Sequence, residues 1–181
     1  MKKLILLVLI PIAFIACQKS GTNPTKTVGS KQDTIPDTAY FKVQLIKDST
    51  IKNGTNEILV EFNHKFHLSF TTMNSEDVAL PGWNPNFAIL GITSDGTLVG
   101  WDGIPYSPGV SIPLFITATT GPYLLKAYFL KKIPSDMHIW CKDNYLKDSL
   151  DLRKGNYNFT IDNADANSFG KNRFQIIVGP K

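Results

Sequence analysis

From Tyr40 onward, apolar and polar residues alternate with a period close to two. Phe41, Val43 and Leu45 alternate with Lys42, Gln44 and Ile46, and Ile58, Val60 and Phe62 alternate with Glu57, Leu59 and Glu61. A period of two puts one set of side chains on each face of a strand. Further strands are expected over 66–71, 87–93, 110–118, 123–130, 138–142, 157–162 and 173–178. Turn signals separate them, among them Lys52-Asn53-Gly54, Ser94-Asp95-Gly96, Thr120-Gly121-Pro122 and Lys154-Gly155-Asn156. No stretch carries a long apolar stripe at helical spacing, and 143–150 offers at most one short helical turn. The pattern predicts an all-β chain, a β-sandwich of roughly eight to nine strands.

The first 38 residues break this pattern. Lys2-Lys3 followed by an apolar run from Leu4 to Ile15 has the form of a secretory signal peptide, too short to stay in a bilayer as a spanning helix. Phe14-Ile15-Ala16-Cys17 resembles a lipobox, which predicts cleavage after Ala16 and a diacylglycerol on the Cys17 thiol, with palmitate among the acyl chains. Phe14 stands where a leucine is usual. Beyond Cys17, residues 18–38 are rich in Ser, Thr, Gly, Lys and Pro, the composition of a flexible tether. The expected organisation is a signal peptide over 1–16, a tether over 17–38 and a sandwich domain over 39–181. Asp33-Thr34-Ile35 and Asp37-Thr38-Ala39 resemble the Asp-Ser/Thr-apolar motif for O-glycosylation in the Bacteroidetes, which makes Thr34 and Thr38 the candidate acceptors.

Composition narrows the function by exclusion. Of 19 basic residues only Arg153 and Arg173 are arginines, and without the leader the net charge falls to +2 against 15 acidic residues. Phosphate and base recognition want clustered basic residues, so no nucleic-acid partner is expected. Acylated Cys17 leaves Cys141 without a disulfide partner, and its alternation with Met137 and Ile139 puts it in a strand core. His64, His67 and His138 form no metal or triad spacing, and no nucleophile motif is present. No enzymatic activity and no cofactor are expected. Asn163-x-Asp165-x-Asn167 has the opening of a calcium loop but lacks its glycine and closing glutamate, and turn capping accounts for the same residues. Arg173 is expected to make a structural salt bridge to Asp143 or Asp151. Trp83 and Trp101 sit in turn-like surroundings, as stacking platforms for a sugar ring or as plugs over the core. Trp140 is expected to pack within the sandwich.

Leu152-Arg153-Lys154-Gly155-Asn156-Tyr157 has the Leu-x-x-Gly-x-Tyr form of a tyrosine corner, and Gly121-Pro122-Tyr123 is a shorter version. The corner favours an immunoglobulin-like Greek key, with the Tyr157 hydroxyl expected on backbone near Leu152 or Arg153. Several segments together carry a resemblance. They are Ile89-Leu90-Gly91-Ile92, Gly121-Pro122-Tyr123, Ile139-Trp140-Cys141-Lys142-Asp143, Asp148-Ser149-Leu150-Asp151-Leu152, Gly155-Asn156-Tyr157-Asn158-Phe159 and Ser168-Phe169-Gly170-Lys171-Asn172-Arg173-Phe174. Over about 56–178 the chain resembles a β-sandwich module of Bacteroidetes surface and secreted proteins, one often found before a type IX sorting domain. The resemblance implies a surface location and a fold, and no activity. No sorting domain follows the module before Lys181, so the lipid is expected to take over attachment. The sequence thus predicts an outer-membrane lipoprotein at the cell surface, with a non-catalytic structural or interaction role. Its partners are the membrane and a glycan or another surface protein. The alternative is a carbohydrate-binding lipoprotein using Trp83 and Trp101.

Overall fold

The computed structural model describes residues 35–47, 56–66, 78–79, 88–94 and 97–180. Among them the fold is all-β, with eleven strands and one 3₁₀ turn. The strands are β1 (Ala39–Lys47), β2 (Asn56–Phe62), β3 (Val78–Ala79), β4 (Ile89–Ser94), β5 (Thr97–Ile104) and β6 (Val110–Thr117). They continue with β7 (Gly121–Lys131), β8 (Met137–Asp143), β9 (Asp148–Asp151), β10 (Tyr157–Ile161) and β11 (Gly170–Pro180), the 3₁₀ turn (Ala166–Ser168) lying between the last two. Hydrogen bonds join ten of them in the order β10-β7-β1-β2-β5-β4-β6-β11-β8-β9, and β3 pairs with β5 off this path. Every pairing is antiparallel except β2 with β5, where Leu59 stands opposite Trp101.

The alternation read from the sequence sets the register. Phe41, Val43 and Leu45 of β1 and Ile58, Val60 and Phe62 of β2 all face the core, with Val43 opposite Ile58. Ile112, Leu114 and Ile116 of β6 do the same, and Ile176 of β11 stands between Ile112 and Cys141. The ladder curls so that its β10 end packs across the core against β11 and β8. Phe159 and Phe174 meet edge to face with ring centroids 4.7 Å apart, and the Tyr157 ring stands 6.1 Å from Phe174. Burying such a layer of rings and branched aliphatics, at about 1.5–3 kcal/mol per side chain, is what holds the two walls together.

The structure departs from the sequence reading in four places. One continuous curled ladder of eleven strands replaces the expected eight to nine. The strand β5 occupies a stretch read as turns, because Gly100 and Gly103 interrupt its alternation. Gly103 is there for space: a Cβ on it would lie 2.7 Å from the Phe66 ring. Residues 143–150 form no helical turn; they hold the reversal from β8 to β9. The packed domain also begins before Ala39, inside the span expected as tether. Ile35 is buried in the core, Thr38 N donates to Phe62 O, and the Asp37 carboxylate accepts from His64 N at 2.9 Å and pairs with the His64 ring. The signal peptide, Cys17, Thr34, His67, Trp83 and all but Phe66 of the strand expected over 66–71 lie outside the described residues.

Candidate functional site

Two short segments meet at one end of the ladder and enclose a polar pocket of about 420 Å³. One is the β8–β9 reversal, residues 144–147. The Asp143 carboxylate fixes it by accepting from Tyr145 N at 2.9 Å and Leu146 N at 3.1 Å, and Lys147 ends it in the left-handed region at φ 58°. The other runs from Asp162 to Asn172. There Asp165 caps the 3₁₀ turn by accepting from Asn167 N, and Ser168 Oγ donates to Asp162 O at 2.7 Å. Gly170 then turns the chain into β11 at φ 89°, a conformation that side chains rarely adopt. Asn144 ties the segments together, its backbone N donating to Arg173 O and its Nδ2 to Asn172 O.

Arg173 forms the floor. Its guanidinium is almost fully buried and pairs with Asp143 at 2.9 Å, as the sequence predicts. It also donates to Thr160 O at 2.8 Å and to Ser168 O. The Tyr145 ring stands 5.0 Å from this cation, and its hydroxyl donates to Asp165 at 2.8 Å. Cation and hydrogen bond pin the ring in one orientation while 42% of the residue stays exposed. The Asp165 carboxylate pushes the Tyr145 hydroxyl up from its ordinary value, so the hydroxyl keeps its proton at neutral pH. Asp165 in turn is held below its ordinary value, first by the Asn167 backbone N–H and then by Tyr145. Asn144, Asn167, Lys147 and Lys171 complete the rim. The result is a rigid aromatic ring surrounded by amide and ammonium donors.

Among the described residues, Cys141, His138, Asp162 and Asp165 are committed to the fold. Cys141 is fully buried, and burial followed by the nearby Asp143 charge pushes its thiol up to about 12. His138 is bonded to Asp151 at 2.7 Å. Asp162 and Asp165 accept bonds within their own turn, Asp162 from Ala164 N and Asp165 from Asn167 N, which is the capping expected as the alternative to a calcium loop. Among the described residues no three His, Cys, Asp or Glu side chains gather as metal ligands would.

Other sequence-predicted positions are placed differently. Trp101 lies in β5 rather than in a turn, half-buried, and its Nε1 finds no hydrogen-bond partner among the described residues. Trp140 is on the outer face of β8, half-buried beside His138 at 5.1 Å, because Met137, Ile139 and Cys141 take the inner face. Thr38 is exposed at φ 63° and accepts from Lys132 Nζ. The Tyr157 hydroxyl goes to the Asp143 carboxylate at 3.2 Å, not to backbone near Leu152. The tyrosine that returns to upstream backbone is Tyr123, whose hydroxyl donates to Thr119 O at 2.8 Å. Tyr145 was missed altogether. Only the density of Asn, Asp and Lys around a lone aromatic in 143–148 marked it. No family model matches the chain, and neither does any curated protein or solved structure.

Proposed function

We propose that the chain is a non-catalytic binding module, an immunoglobulin-like β-sandwich of the Bacteroidetes surface type, held at the outer-membrane surface by lipid on Cys17. The observation that carries it is the use of the reactive side chains in the described domain. The thiol of Cys141 is buried and protonated, His138 is committed to Asp151, and Arg173 is committed to Asp143. What remains outward is a shaped, polar pocket with one fixed ring. The Tyr123 hydroxyl on Thr119 O supports the immunoglobulin-like topology, since that bond is the tyrosine corner of such sandwiches.

The pocket favours a glycan as ligand. A sugar ring offers an apolar face to an aromatic platform and a ring of hydroxyls to neighbouring donors and acceptors. Tyr145 supplies the platform, Asn144 and Asn167 supply amides, and Lys147 and Lys171 favour acidic sugars over neutral ones. In this reading the sugar site is Tyr145 rather than Trp101, which is half-buried within a strand. The test is binding of the full chain to an array of neutral and acidic glycans, compared with Tyr145→Ala and Trp83→Ala. Tyr145→Ala is expected to lower affinity for any bound glycan about tenfold, a loss of ~1.4 kcal/mol. Undiminished binding by that variant, with loss in Trp83→Ala, would return the site to the tryptophan.

A further inference from the structure

We infer that Tyr40, Phe129, Leu130, Lys131 and Lys132 form a second functional surface, a face by which the domain rests on a phospholipid bilayer. The proposal rests on the lipid-anchor reading for the presence of a membrane close by.

The surface begins with a break in register. Tyr40 of β1 stands opposite Lys131 and Lys42 opposite Tyr128, so Phe129 and Leu130 together face Phe41 alone. Such a bulge bends the strand and re-aims its side chains. Phe129 takes φ 54° and Lys132 φ 55°, conformations that an aromatic or long side chain seldom adopts. The outcome is a phenyl ring 62% exposed, stacked on Tyr40 at 5.9 Å, with Leu130 beside it. The Lys131 ammonium lies 5.3 Å from the centre of the Tyr40 ring. The four side chains line a shallow, open cleft of about 310 Å³. Two rings and a leucine flanked by two ammonium groups match the layering of a membrane interface. Rings settle at headgroup depth, the aliphatic chain reaches the acyl boundary, and lysines reach out to phosphates.

The route of the chain points to the same occupant. Lys132 Nζ donates to Thr38 Oγ1, and Thr38 N donates to Phe62 O, so the polypeptide arriving from Cys17 enters the domain beside this surface. Seventeen residues, 18–34, separate Cys17 from Ile35. If this stretch is the tether that its composition predicts, its average span would be about 20–25 Å, which would keep the surface within reach of the bilayer holding the lipid. The exposed Tyr145 and Leu146 at the pocket do not compete for this role. The Tyr145 ring is held against Arg173 and Asp165 within the pocket and is not free to insert into a bilayer. The pocket also lies toward the opposite end of β7. Asn163 N bonds Thr120 Oγ1 beside Gly121, about 26 Å along the strand from Phe129. A domain resting on Phe129 therefore turns the Tyr145 pocket away from the membrane.

The experiment uses the mature lipidated chain in vesicles of phosphatidylethanolamine and phosphatidylglycerol, with Leu130→Cys carrying a nitrobenzoxadiazole label. Cys141 is buried and its thiol is pushed up to about 12, so the engineered cysteine takes the label. Emission from position 130 is expected to be quenched severalfold by spin-labelled lipid and shielded from aqueous iodide. The same label at Lys171→Cys stays open to iodide. Adding Phe129→Asn, a residue that tolerates positive φ, keeps the bulge and removes the ring, and it is expected to abolish the lipid quenching. A label at 130 as open to iodide as that at 171, on a chain whose mass shows acyl chains on Cys17, overturns the proposal. So does a label shielded from iodide but untouched by lipid quencher, which would mean a contact with a second copy. An unacylated Cys17 in the mass spectrum overturns the anchor instead, and the surface is then judged on a Cys17→Ser chain labelled at 130, by whether added vesicles carrying spin-labelled lipid quench it.

Discussion

Asp151 and Asp143 are buried carboxylates that survive burial because each is fully partnered. Asp143 accepts from Arg173 Nε and Nη2, from the Tyr157 hydroxyl and from two backbone N–H groups of the following turn. Removing one member of such a pair leaves the other charge buried alone, at about 3–5 kcal/mol. Asp151 offers a cleaner measurement. Burial by itself pushes its carboxyl up, but the bond from His138 and the backbone N–H groups of Arg153 and Ile139 outweigh that and hold it below the ordinary 3.8. A carboxyl depressed in the folded state contributes stability that is complete above its unfolded value and disappears as pH falls through the folded one. Asp151→Asn is therefore expected to cost about 1.5–3 kcal/mol at neutral pH, the usual loss for hydrogen bonds to a charged group. The gap between variant and wild type in urea midpoint should hold down to about pH 4 and close beneath the ordinary value of 3.8. A gap of constant size down to pH 2 would mean that the Asp151 charge contributes nothing.

At the scale of elements, β6 and β7 are joined by the bond that the sequence assigned to β10. Both tyrosines follow a glycine by two residues, but only Tyr123 has a backbone carbonyl within reach, Thr119 O, while Tyr157 is drawn into the charged pair of Asp143 and Arg173. Tyr123→Phe is expected to cost about 0.5–1.5 kcal/mol, the net value of a part-buried hydrogen bond whose acceptor Thr119 O can turn to water. For a domain near this size that is a fall of a few degrees in melting temperature. If Tyr123→Phe melts with the wild type, the corner does not hold β6 to β7. Strands with one buried face, such as β1, β2, β6 and β10, were legible because their alternation survives burial intact. The strand β5 was not, since it pairs with β2, β3 and β4 and its Gly103 is set by close approach to Phe66. The Arg173–Asp143 pair was legible because a lone arginine in a strand needs a carboxylate. Tyr145 was not, because its role depends on two segments twenty residues apart meeting through Asp165.

For the whole molecule the two proposed attachments, the lipid on Cys17 and the Phe129 surface, can be ordered by strength. Burying a phenylalanine or leucine completely is worth about 1.5–3 kcal/mol. Phe129 starts 62% exposed and Leu130 36% exposed, so each has only part of that left to gain. Their sum, about 1.5–3 kcal/mol, falls below even the marginal, reversible binding of a single acyl chain. On the proposed anchor, acylated Cys17 would bring two or three chains at ~0.8 kcal/mol per buried methylene, enough for stable attachment. On that reading the lipid dominates and the surface serves only to orient a domain already held. Cys17→Ser is accordingly expected to abolish metabolic labelling with palmitate and to move the mature chain from the membrane fraction to the soluble one, even with Phe129 and Leu130 intact. Phe129→Asn in the acylated chain should leave fractionation unchanged. Membrane retention of Cys17→Ser in high salt would defeat this ordering, because the weak surface would then be holding the chain without its lipid.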